Sequence, residues 1–84
     1  MESGKALRKK VLEIISKNWP IHISGICREL SVKDSLQNIS RIRYHILNLK
    51  KQNLVNTKKI DRAFVIWPVD IEKIRVMHEF MKET

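Results

Sequence analysis

Apolar residues recur along this chain with two periods, and each predicts its own kind of element. Leu7, Val11, Ile14 and Ile15 fall three and four residues apart. That spacing predicts an amphipathic helix from Ser3, which can cap it, to about Asn18. Trp19-Pro20 ends the helix, because proline pushes the residue before it out of helical geometry. Ile21-His22-Ile23 alternates as a very short strand would. Ser24 is a suitable N-cap for a short second helix over Gly25 to Leu30, with Ile26, Cys27 and Leu30 inward. Ser31-Val32-Lys33 reads as a turn.

Asp34 followed by Gln37 resembles a capping box and opens a third helix over 35–52, about 18 residues and ~27 Å long. Its apolar positions are Leu36, Ile39, Ile42, Ile46, Leu47 and Leu49. The opposite side shows Gln37, Ser40, Arg41, Tyr44, Asn48 and Lys51, with His45 at its edge. The period then changes to two. Leu54 to Ile60 and Ala63 to Trp67 are strands of a hairpin turning at Asp61-Arg62, and Pro68 stops the second. Asp70 is placed to cap a fourth helix reaching about Lys82. Within it Ile71, Ile74, Met77 and Met81 form one stripe, and Val76 with Phe80 forms another.

The predicted order is helix, strand, helix, helix, strand, strand, helix in one α+β, mainly α, domain over 1–84. That order, α-β-α-α-β-β-α, resembles a winged helix-turn-helix. The sharpest match is Tyr44-His45-Ile46-Leu47-Asn48-Leu49-Lys50-Lys51-Gln52-Asn53-Leu54-Val55, which is similar to the end of the recognition helix and the start of the wing in ArsR-like and MarR-like repressors. Asn53 stands where those families usually have glycine, and asparagine also tolerates the left-handed conformation a helix end needs. The path from Leu30 to His45 is some four or five residues longer than is usual in those families. The resemblance implies a small DNA-binding regulator of the kind common in archaea and their viruses.

Charge sharpens this picture. The chain carries +8 at neutral pH. Between Asp34 and Asp61 no acidic residue occurs, whereas Arg41, Arg43, Lys50, Lys51, Lys58 and Lys59 all do. A merely solvated helix interleaves Glu with Lys for pairing one turn apart; this one does not. An acid-free basic segment attracts a polyanion, above all nucleic acid. Gln37, Ser40, Arg41, Tyr44, His45 and Asn48 are the candidate contacts of the third helix, which would read the major groove. Lys58, Lys59 and Arg62 at the hairpin tip suit backbone or minor-groove contact by a wing over 55–67. Lys5, Arg8, Lys9 and Lys10 on the first helix suit flanking phosphates or a solvated face equally.

The double stripe of the last helix points to a homodimer through Ile74, Val76, Met77, Phe80 and Met81. Other chemistry is weakly represented. Cys27, His22, His45 and His78 lack metal-ligand spacing, and Cys27 reads as a buried thiol. No phosphate-cradling loop, nucleophile–base pair or carboxylate cluster occurs, so neither an enzyme nor a cofactor or small-molecule ligand is expected. The polar start and the lack of a long apolar run lead us to expect a cytoplasmic protein, in the host cytoplasm if viral, with no membrane partner. The expected function is a DNA-binding transcriptional regulator acting as a repressor on double-stranded DNA. The alternative is a winged-helix assembly module that binds protein.

Overall fold

The computed structural model describes residues 4–72. Helix α1 spans Gly4–Lys17, strand β1 Ile21–His22, helix α2 Ile23–Glu29 and helix α3 Leu36–Lys51. Strands β2, Val55–Ile60, and β3, Ala63–Pro68, follow. The strands form one antiparallel sheet in the order β1-β3-β2. Ile21 pairs with Ile66, and the hairpin register runs from Val55 opposite Pro68 to Ile60 opposite Ala63. This is the winged helix-turn-helix arrangement: three helices on a small sheet whose long hairpin is the wing.

The core lies where the three helices meet the sheet. Val11 and Ile15 of α1, Ile26 of α2, Ile42 and Ile46 of α3, and Ile66 of β3 are all wholly buried. Burying these aliphatic side chains supplies the main favourable term of folding, about 1.5–3 kcal/mol each. Gly25 is needed for close approach, because a Cβ there would stand 2.8 Å from Cγ1 of Ile21. Ile21 is held in β1 by its pairing with β3 and cannot yield freely.

Helix ends follow local hydrogen bonding, and three of them differ from the sequence reading. Helix α2 starts at Ile23, directly out of the strand, with His22 in the cap position and no side-chain cap bond. Ser24 therefore lies inside the first turn. The buried Ile23 and the pairing of His22 with Val65 fix that start. Helix α3 is capped by Ser35, not Asp34: the Ser35 hydroxyl accepts from the Asn38 N–H at 3.2 Å. Asn38 in turn donates its amide to the Lys33 carbonyl at 2.9 Å, which holds Asp34 outside the helix. At the chain's last described turn the Glu72 N–H donates to the Val69 carbonyl at 3.0 Å, so Asp70 sits within that turn rather than capping it. The remainder of the expected fourth helix lies outside the described residues, as do the proposed interface positions Ile74, Val76, Met77, Phe80 and Met81 and also His78.

The turns match their chemistry. Asn53 has φ 61° and closes α3: its N–H donates to Lys50 and that of Leu54 to Leu49, each at 3.0 Å. This double bond pattern satisfies carbonyls that the helix end leaves open. Ser31, φ 56°, ends α2 in the same way, with Ser31 N–H on Arg28 and Val32 N–H on Cys27. Asp61, φ 56°, turns the wing in a loop of two residues, Asp61 and Arg62.

Candidate nucleic-acid interface

Helix α3 buries one narrow stripe, Ile42, His45, Ile46 and Leu49, and leaves the rest of its circumference accessible. Gln37, Ser40, Arg41 and Tyr44 are exposed as the sequence predicts, with Tyr44 60% accessible. Asn48 is half-buried, and its Oδ1 accepts from Gln52 Nε2, so part of its bonding capacity is spent.

His45 departs from the expectation of a contact residue. It is only 4% exposed, beneath α1, where Nδ1 accepts from Arg8 Nε at 3.2 Å. Its position at the margin of the polar side let the docking of α1 decide its burial. Leu36 and Leu47, expected inward, are 85% and 50% exposed. At 3.6 residues per turn they stand about 120–140° around the helix from Ile42, well away from the stripe that packs inward.

Each flank of α3 has a different neighbour. On the wing side, the Arg43 guanidinium lies 6.0 Å from the Phe64 ring centroid, within reach of cation–π attraction. Lys50 Nζ donates to Thr57 Oγ1 at 3.1 Å and ties the end of α3 to β2. A concave groove of ≈ 360 Å³ runs between these elements, lined by His22, Ile39, Arg43, Arg62 and Phe64 among others. On the other side, Arg8 of α1 lies 6.0 Å from the Tyr44 ring centroid, and Tyr44 meets His45 edge-on at 5.4 Å. Lys58, Lys59 and Arg62 are exposed at the wing tip. Exposed α3 and its wing thus form one surface with cations on both flanks. The residues given no contact role in the sequence reading are Arg43 and Phe64. Their meeting depends on the packing of β3 beside α3, which joins positions far apart in sequence.

Burial holds the His45 pKa below its ordinary 6.5, and the charges of Arg8 and Arg41 lower it further. The imidazole is neutral at pH 7, with its proton on Nε2 because Nδ1 is the acceptor. The unfolded chain takes up this proton first as pH falls. Its contribution to stability is therefore complete above the ordinary value of 6.5 and is lost progressively below it. The melting temperature should fall from about pH 6.5 toward pH 5, and His45→Gln, which cannot titrate, should show a shallower fall. An identical pH profile for the variant would place the acid sensitivity elsewhere.

Cys27 is buried, and burial with the Asp34 charge pushes its thiol upward, so it stays protonated at neutral pH. Its environment is that of a packed thiol. At the far end of the sheet, the Trp67 indole N–H at 2.9 Å and the Asn56 amide at 3.1 Å hold the Glu72 carboxyl below its usual range.

Neither a protein-family model nor a curated protein matches this sequence. Among solved structures the chain is similar to the Zalpha domain of PKZ from Carassius auratus, a crystal structure in complex with Z-DNA. The TM-score is 0.64 at 16% identity, over 80% of this chain and 98% of that one. The likeness is one of fold: it supports the winged helix and not ArsR-like or MarR-like descent in particular.

Proposed function

We propose that this chain is a DNA-binding regulator of transcription in the cytoplasm, acting as a repressor. Helix α3 enters the major groove of a duplex, and the wing lies along the backbone. The observation that carries this reading is the exposed surface of α3 and the wing, free of acids from Ser35 to Ile60 and bearing cations on both flanks. Phosphate neutralisation supplies encounter and most of the affinity. Base edges facing Gln37, Ser40, Arg41 and Arg43 supply sequence choice, since arginine pairs with guanine and glutamine with adenine. Bound at a promoter, the protein excludes polymerase. No catalytic step is part of this reading. Two copies joined through positions 74–81 would present two such faces to half-sites about one helical turn, ~34 Å, apart.

The test is selection from a random duplex pool, with affinity then measured across salt. The expected result is a common near-palindromic site and a log–log salt slope of about −0.9 per neutralised phosphate. No measurable affinity for any duplex at low salt would leave the assembly-module reading standing instead. The Zalpha neighbour was solved with Z-DNA, which favours a second reading: recognition of left-handed duplex by shape. Retention of Z-form duplex with no convergence of sequence among right-handed ones would select it.

A further inference from the structure

His45 is the buried polar side chain of the described core. A leucine would pack in such a position without desolvating an imidazole beside two guanidinium groups. What the imidazole adds is one fixed acceptor, Nδ1, which takes the Nε–H of Arg8. The same guanidinium stands over the Tyr44 ring, so its position is set by two contacts rather than left to a flexible stem. Among the described residues Arg8 bonds through Nε, which leaves the Nη groups of its outer fork to face a ligand. That fork matches a phosphate, which accepts two parallel N–H bonds.

The placement of this pair relative to the wing gives it a target. A groove has two phosphate walls. The wing flanks α3 on the side of Arg43 and Lys50, whereas Arg8 flanks it on the side of Tyr44 and His45. Resting on the reading of α3 as the duplex-entering helix, we propose that Arg8, held by His45 and Tyr44, grips a backbone phosphate of the wall opposite the wing. The exposed Tyr44 hydroxyl lies beside the same phosphate as a second donor. His45 is a positioning residue that touches no DNA.

The test uses the full chain, the selected duplex and an unrelated duplex of equal length, with dissociation constants measured across salt. Arg8→Gln should weaken both duplexes by a similar factor, about tenfold, and make the log–log salt slope shallower by about 0.9, one phosphate. Arg8→Lys keeps the charge but lacks the fork and the Nε–H, and should keep the slope while losing part of the affinity. His45→Leu, with Arg8 present but released, should weaken binding at an unchanged preference between the duplexes. A merely structural Arg8 would change melting temperature and leave the slope alone. Affinity and slope in Arg8→Gln equal to those of the unaltered chain would overturn the phosphate grip and leave the α3 reading intact. Failure of the unaltered chain to bind either duplex would remove both.

Discussion

Ile42→Ala is expected to lower stability by about 2–5 kcal/mol, the usual cost of deleting a large aliphatic side chain from a closed core. Ile42 is 0% exposed and belongs to the buried stripe of α3, where the helix meets its packing partners. A small domain has only about 5–15 kcal/mol to lose, so the variant should be partly unfolded or close to it. Urea denaturation should show the midpoint falling with little change in slope. Leu47→Ala, one turn-edge away and 50% exposed, is the control and should stay within about 0.5 kcal/mol. Equal losses at the two sites would mean that α3 buries a wider face than the one described.

That contrast also marks how far the sequence could be read. The stretch 35–52 announces a helix through its period, and the apolar side expected of it took in both Ile42 and Leu47. Five residues apart they stand about 140° from each other, so when α1 and α2 dock on the side of Ile42, Leu47 meets solvent. The hairpin was legible for a local reason: Asp61-Arg62 separates two alternating runs, and the observed loop is those two residues. Asn53 was legible for a similar one, since few residues accept φ near 61°. Caps were less so. Asp34 and Ser35 are both good N-caps, and the choice fell to the contacts of Asn38 with Ser35 and Lys33. The basic surface was visible because a lack of acids survives any rotation of the helix. Its flanks were not. His45 went under α1 and Arg43 came out beside Phe64 through contacts with residues far away in sequence.

On the proposed reading, the side of α3 that leads into a groove is a question the sequence leaves to tertiary structure, and Arg43 is the residue that tests it most sharply. Its guanidinium rests near the Phe64 ring, in the angle between helix and wing, with Arg62 lining the same groove. A side chain already held in place loses less freedom on binding and returns more of its interaction as affinity. Arg43→Ala is expected to cost about 10–100-fold in affinity for the selected duplex, and to reduce its preference over unrelated sequences, as loss of a paired contact to guanine does. Arg41→Ala should lower both less, because Arg41 lies toward α1, where its charge is felt by His45. Lys59→Ala, at the wing tip, should weaken all duplexes about equally. Phe64→Leu keeps an apolar side chain but removes the ring under Arg43, and should reproduce part of the Arg43→Ala loss without touching a base itself. A harmless Arg43→Ala beside a severe Arg41→Ala would turn the helix about its axis in the groove, bringing its α1 side to the bases and leaving the wing too far back to share the contact.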